Sequence, residues 1–496
     1  MTEHRTVRID PLTRLEGHGR VEMILDDRGE LEHAWFQVPE LRGFEKFCEG
    51  RPAEDMPQIT SRICGVCPTA HHMASAKALD SLYSVEPPPA GRRIRELIYN
   101  AFFVEDHALH FYMLGGPDFI VGPRAPAAER NVLGVIGKLG KEAGLKVIEM
   151  RRKLREIIST AGGKAVHPVF GLPGGVARAI KPEEQARFID VAREAVAFGL
   201  FSIEAFGDIV LNNRESLELI RSRTFTHRTH SMGLVDEQNR VNFYDGQLRV
   251  VSPAGGELAK FPINRYEEFI GERTEPWSYM KFTYFKPAGW HGFSEGDASG
   301  VYTVAPLARL NASEGFTTPL AQKAREAYFA ALGPGPVHHT LANHWARLIE
   351  MLHAAERLRE IAEHPELCDP DVRTIPTQTP SEGFGVVEAP RGVLIHHYAT
   401  DERGLIRRAN LIVATQHNAA RLAMSVQEAA RAFVKDGEID DGMLNMVELA
   451  VRAYDPCLGC ATHALPGSPT IRIDIRNRAG DLVASLPESS PQADRR

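Results

Sequence analysis

The sequence predicts a mostly helical α+β fold, with a core bundle of long helices and β-structure at its periphery. Three observations carry this expectation. Apolar residues recur at helical spacing over Arg92–Leu114, Lys141–Thr160 and Pro182–Asn213, segments too long for strands. The first forty residues instead alternate in strand fashion. No repeat, low-complexity linker or composition break divides the chain, so one long helix-dominated unit is expected.

The elements follow in order. "TVRIDP", "GRVEMIL" and "HAWFQV" read as strands, the last two joined by the turn "DDRGE". The three long helices come next, with the Gly/Pro loop "HPVFGLPGGV" (His167–Val176) between the second and third. From about Val241 to Val304 the pattern returns to strand and turn, in "VNFYDGQLRVV" and "WSYMKFTYF". Helices resume at "PLAQKAREAYFAAL" and "ANHWARLIEMLHAAERLREIAEH". "GVVEAPRGVLIHHY" and "RRANLIVAT" read as two buried strands, followed by helices at "NAARLAMSVQEAARAFVKDG" and "DDGMLNMVELAVRAY". The polar end carries one strand, "TIRIDIR" (Thr470–Arg476), and is otherwise expected to be disordered.

Composition narrows the function classes. Hydrophobic residues make up 43% and charged residues 25%, enough to bury a large core. A net charge of −7 without clustered Lys and Arg argues against nucleic acid, and "MRRKLRE" reads as a solvated helix face. No apolar run reaches the length of a membrane span, and the first residues lack the apolar core of a secretory signal, so a cytoplasmic chain is expected. Six cysteines are too few for a disulfide scaffold in so long a chain, which points to metal or redox work for the thiols.

Four of those cysteines form two pairs at one spacing: Cys64 and Cys67 in "RICGVCPTAHH", Cys457 and Cys460 in "DPCLGCATH". Spacing alone leaves a four-thiolate structural zinc site open. A thioredoxin-like dithiol is disfavoured because neither pair sits in an evident strand–helix redox unit, and a c-type haem motif is absent. Structural zinc staples a local loop, whereas these pairs tie the beginning of the chain to its end.

Six motifs in order carry a family resemblance: "RLEGHGR", "ELRGFE", "RICGVCPTAHH", "DHALHFYML", "EAPRG" and "DPCLGCATH". With them the chain resembles the large, catalytic subunit of nickel–iron hydrogenases, most of all the cytosolic multimeric enzymes linked to NAD or NADP. The resemblance implies that family's large-subunit fold and a nickel–iron centre whose iron carries cyanide and carbon monoxide. It implies Cys64 and Cys457 as terminal nickel ligands, and Cys67 and Cys460 as bridges from nickel to iron. Soft thiolates suit such metals. Glu16 matches the proton-transfer carboxylate, and Arg391 the guanidinium beside the open metal position. Asp106 and Asp455 match its acidic partners, Thr415 a hydroxyl donor to cyanide, and His71 a group bonded to a bridging sulfur. Glu45, His463 and the backbone carbonyl of Leu411 match magnesium ligands.

The resemblance also implies partners. Cys48 and Cys368 alone cannot hold an ordinary iron–sulfur cluster, and no dinucleotide or Walker-type phosphate loop is present. Iron–sulfur clusters and any flavin are therefore expected on other chains: an obligate iron–sulfur small subunit, with diaphorase-type NAD(P)/flavin subunits beyond it. Nickel-insertion proteins and a maturation protease are expected too, the latter cutting after His463. Residues 1–463 would then form the working domain and 464–496 a removable extension. Hydrogen sensors share these motifs, so a regulatory subunit stands as the alternative.

Overall fold

The helix Asn343–Ala362 lies at the centre of the molecule, packed against Pro182–Phe206, Pro89–Leu109 and Pro319–Leu332. It is buried on almost every face, which places it inside the bundle rather than on its surface. Its three neighbours each begin on a proline, whose fixed φ suits the first helical position and whose missing N–H costs nothing there. The computed structural model describes residues 5–378, 381–435 and 440–462, and the backbone of Ile473–Arg476 and Leu482–Leu486.

Two of the long helices end differently from the sequence expectation. Pro89–Leu109 widens into a π-helical turn over His110–Gly115, and Pro182–Phe206 does so over Gly207–Leu211. At the first site two glycines allow it. A Cβ on Gly116 would fall 1.8 Å from the Phe111 carbonyl oxygen, and one on Gly115 would meet the His110 and His344 rings at 2.5 Å.

The strands Arg5–Ile9, Arg20–Leu25 and Leu31–Gln37 form an antiparallel meander whose inward residues, among them Val21, Met23 and Leu25, are buried. A four-stranded sheet runs in the order Tyr302–Thr303, His230–Val235, Gln247–Val251, Glu257–Phe261. Its strand His230–Val235 precedes the β-region that the sequence indicated. Buried at every position, it has no alternation to betray it.

The segment read as one strand, "GVVEAPRGVLIHHY", is a hairpin. Glu382–Ala389 pairs with Gly392–Thr400 from Glu382↔Ala399 to Ala389↔Gly392, leaving Pro390 and Arg391 as the turn. Pro390 offers no N–H to a ladder, and Gly392 takes φ +131° against Val304, so the chain reverses there. Ile406–Ile412 completes this three-stranded sheet.

The helix Pro68–Leu82 lies on that sheet at backbone contact. A Cβ on Gly385 would come 2.0 Å from the Ala74 carbonyl oxygen, and one on Gly383 2.3 Å from that of Ala78. These glycines let the helix after the first cysteine motif settle against the strand that precedes Arg391.

Among the described residues no helix is long and apolar enough to cross a membrane. At the end of the chain Ile473–Arg476 pairs antiparallel with Leu482–Leu486, a second strand where disorder was expected. His463, the expected cut after it and the rest of the extension lie outside the described residues.

Candidate metal centre

Four buried sulfurs converge from opposite ends of the chain. The Sγ atoms of Cys64, Cys67, Cys457 and Cys460 all lie within 4.8 Å of one another, the only such ligand group among the described residues. Cys64–Cys457 is 3.1 Å, Cys67–Cys460 3.3 Å, Cys457–Cys460 2.9 Å and Cys67–Cys457 3.9 Å. Disulfides need about 2.05 Å, so all four are free thiols. Sulfurs about 2.3 Å from a shared metal would stand about 3.2–3.8 Å apart, close to what is seen. The donor set and its spacing fit a soft-metal centre.

The local chain makes this arrangement. Cys67 directly precedes the Pro68–Leu82 helix, and the N–H groups of Val66 and Cys67 donate to Cys64 Sγ at 3.2 and 3.3 Å. Burial opposes a charge on Cys64, but hydrogen bonds with Cys457, Cys460 and Cys67 pull its thiol well below the ordinary range. Burial holds the Cys457 and Cys460 thiols well above it.

Glu16 reaches the second pair through a parallel bridge to Cys457. The Leu458 N–H donates to the Glu16 carbonyl at 2.9 Å, and Glu16 Oε2 accepts from the Gly459 N–H and from the Cys457 thiol, each at 3.0 Å. Burial, with the charge on Cys64, raises its carboxyl above the usual range. Gly17 makes room: at φ +82° its Cβ would stand 2.6 Å from the Gly459 nitrogen.

Arg391, at the hairpin turn, donates from Nη1 to Asp106 and from Nη2 to Asp455, both at 3.2 Å. All three side chains are buried. Burial pushes Asp106 up to about 7 despite the guanidinium beside it. Asp455 adopts φ 53°, a left-handed conformation that aspartate tolerates better than most residues. Thr415 Oγ1 accepts from the Cys457 N–H at 2.9 Å, which leaves its own proton free to be donated. His71 Nε2 stands 3.3 Å from Cys460 Sγ.

Glu45 and Leu411 meet as well, the Leu411 N–H donating to Glu45 Oε1 at 2.9 Å. Desolvation raises Glu45 to about 7, although Lys281 Nζ lies 3.8 Å from Oε2 and is itself bound to Glu272. A buried carboxylate so short of countercharge fits a nearby cation. His463, the third residue expected there, lies outside the described residues.

Sequence reasoning missed several residues. Arg42 Nη1 bridges the carbonyls of Ile63 (2.5 Å) and Gly459 (2.9 Å), each directly preceding a cysteine, and its N–H holds the Thr462 carbonyl at 3.0 Å. Asn418 donates to the Arg391 carbonyl at 3.0 Å, Arg347 Nε lies 3.9 Å from Asp455, and His396 contacts His71. "ELRGFE" held a signal for Arg42; none singled out the others. The spare thiols lie apart from the cluster: Cys48 is buried and pushed up to about 12, and Cys368 donates to Gln185 at 3.1 Å.

This geometry can be set beside known proteins. A family model described as nickel-dependent hydrogenase matches residues 42–132 and 233–463, and one described as HoxL-like matches residues 6–41. The chain is 44% identical to an F420-non-reducing hydrogenase iron-sulfur subunit of Archaeoglobus profundus, over 97% of this chain and 99% of that one. It is 37% identical to the NAD-reducing hydrogenase HoxS subunit beta of Cupriavidus necator, again over 97% and 99%. A crystal structure of an NAD+-reducing [NiFe]-hydrogenase in the H2-reduced state superposes with a TM-score of 0.87 at 37% identity, covering 92% of this chain and 99% of that one.

Proposed function

The chain belongs to the nickel-dependent hydrogenase family as a catalytic large subunit, and from that premise we propose how its own residues serve the oxidation of dihydrogen. The observation that carries the reading is the buried group of four sulfurs with a carboxylate at 3.0 Å and a doubly held guanidinium in the same site. Cys64 and Cys457 would hold nickel, and Cys67 and Cys460 would bridge it to an iron carrying cyanide and carbon monoxide. When bound, that centre supplies heterolytic cleavage of dihydrogen and takes up the electrons.

The residues divide the remaining work. Glu16 accepts a proton at Oε2, the oxygen already in hydrogen-bond reach of Cys457 Sγ. Asp106 and Asp455 fix the Arg391 fork, so that its charge and remaining N–H face the site without rotating away. Arg391 and the free proton of Thr415 act as donors to the small ligands of iron. His71 orients the Cys460 sulfur. Burial excludes water from Asp106, Asp455, Arg391, Thr415 and His71, while Glu16 is half-buried at the edge of the site. Glu45, with the main chain at Leu411 and with His463, would hold magnesium, which favours oxygen donors. Residues 1–463 form the working unit in this reading, and a protease removes 464–496 after nickel enters.

Electrons leave through an iron–sulfur partner chain, since Cys48 and Cys368 stand apart from the cluster. From there they pass to NAD or NADP through diaphorase-type flavin subunits. A second reading, an acceptor other than NAD(P), is favoured by the higher identity to the F420-non-reducing relative. Purified complex under hydrogen, offered NAD+, NADP+ and F420 in turn, tests both. Rapid NAD(P)H formation supports the first, and hydrogen uptake with an artificial acceptor but not with NAD(P)+ overturns it. Very slow turnover with every acceptor would instead mark a sensor.

A further inference from the structure

The helix Pro68–Leu82 carries His71 and Ser75 one turn apart, and the strand Gly392–Thr400 carries His396 and Tyr398 two residues apart. Helical and strand periodicity thus aim each pair at the other across the contact that Gly383 and Gly385 allow. The four side chains form one line leading from the cysteine cluster. His71 Nε2 lies 3.3 Å from Cys460 Sγ, and His71 Nδ1 lies 3.2 Å from His396 Nε2. His396 Nδ1 lies 2.6 Å from the Tyr398 hydroxyl, which lies 2.9 Å from Ser75 Oγ. Every member is at most 1% exposed.

We propose that His396 and Tyr398 are positioning residues of the metal centre, which with Ser75 form a reversible hydrogen-bond chain fixing the His71 ring nitrogen that presents a proton to the Cys460 sulfur. The inference rests on the metal-centre reading above. Each neutral imidazole has one N–H and one acceptor nitrogen, so the polarity of the link at the sulfur dictates that of the links at His396 and at the Tyr398 hydroxyl, while Tyr398 has one proton to give either to His396 or to Ser75. With Cys460 as a thiol, S–H donates to His71 Nε2, Nδ1–H of His71 to His396 Nε2, Nδ1–H of His396 to the Tyr398 oxygen, and Tyr398 O–H to Ser75. With Cys460 as a metal-bound thiolate, the sulfur has no proton to give and the line reverses. Tyr398 then turns its O–H from Ser75 to His396 Nδ1, Nε2–H of His396 donates to His71 Nδ1, and Nε2–H of His71 to the sulfur. Both imidazoles change tautomer, and each member keeps one proton and no charge. The thiol proton itself departs on metal binding, as for any thiolate ligand.

Burial supports neutral members throughout. It pushes His71 down to about 4 and holds the Tyr398 phenol well above its ordinary range. Hydrogen bonds in a line strengthen one another, so donation from Tyr398 to His396 strengthens donation from His71 to sulfur. Donors to a ligating sulfur stabilise the electron-rich state of a metal centre and raise its potential.

The test uses the assembled complex carrying Tyr398→Phe, His396→Leu, His71→Phe and the double variant Tyr398→Phe/His71→Phe, with nickel and iron content and the midpoint potential of the nickel signal as readouts. Tyr398→Phe is expected to keep both metals and to lower the potential. His396→Leu is expected to lower it in the same direction. In the His71→Phe background the Tyr398→Phe shift should vanish, because the line is already cut beside the sulfur. An unchanged potential in a metal-replete Tyr398→Phe complex overturns the proposal, and so does an equal shift in the His71→Phe background. If Tyr398→Phe fails to load metal, His396→Leu decides alone: a lowered potential supports the chain, and an unchanged one overturns it. A wild-type complex without nickel and iron would instead defeat the metal-centre reading itself.

Discussion

Replacing Glu16 by Gln removes a proton acceptor while keeping its shape. Oε2 accepts from the Gly459 N–H and the Cys457 thiol at 3.0 Å each. An amide oxygen can still take the Gly459 bond, but a hydrogen bond to a charged acceptor contributes about 1.5–3 kcal/mol against about 1 for a neutral one. The static loss is thus about 1–2 kcal/mol, too little to unfold the segment. The catalytic loss is larger, because positioned proton transfer contributes about 10²–10⁴-fold. At about 1.36 kcal/mol per tenfold, that is about 3–5 kcal/mol of barrier. Glu16→Asp offers a second probe: one methylene fewer withdraws the carboxylate by about 1.5 Å, from 3.0 Å to beyond hydrogen-bond reach of Cys457. The assay is isotope exchange between deuterium gas and water, with nickel and iron measured on the same preparation. Both variants should retain metal and lose at least about 100-fold in exchange. Exchange at the wild-type rate in a metal-replete Glu16→Gln complex would refute the role.

Arg391→Lys should retain both metals but lose about 10–100-fold in hydrogen uptake, because one ammonium cannot hold Asp106 and Asp455 as the fork does at 3.2 Å each; wild-type turnover would remove Arg391 from the mechanism. Gly385→Ala should destabilise the complex by about 3 kcal/mol or more, since its Cβ would stand 2.0 Å from one backbone oxygen and 2.5 Å from the Ala78 nitrogen. Thermal unfolding checks this, and a melting temperature equal to wild type would deny the close packing. Burial raises Glu388 from 4.5 to about 7, against the pull of Arg309. A carboxyl whose folded pKa is raised contributes stability that is full below about 4.5 and is lost as pH rises through about 7. Glu388→Gln should therefore flatten that part of the stability-versus-pH curve, by an amount on the order of 3 kcal/mol, and an unaltered curve would contradict the assignment.

What could be read in advance was chemistry held in short, ordered motifs. The two cysteine pairs announce themselves by residue type and spacing, whereas Glu16, His71, Asp106, Arg391, Thr415 and Asp455 were legible only through the family resemblance that the ordered motifs carry, and the fold brings them into one site. Long helices were legible because their apolar periodicity runs over many turns. The hairpin at Pro390–Arg391 was not, because both of its arms are buried and lack alternation, so that the Pro–Arg–Gly interruption passed for part of one strand until the pairing revealed the reversal. His230–Val235 was hidden for the same reason. Arg42 and His396 acquire their roles from partners hundreds of residues away, at Gly459 and His71. No local pattern encodes such contacts.

The central claim is that the four sulfurs hold nickel and iron. Elemental analysis of the purified native complex addresses it most directly, repeated on Cys457→Ser. The account predicts about one nickel and one iron at this site per chain in the wild type, and loss of nickel in the variant because a hydroxyl replaces a soft terminal thiolate poorly. Stoichiometric zinc without nickel and iron in an intact complex would contradict it.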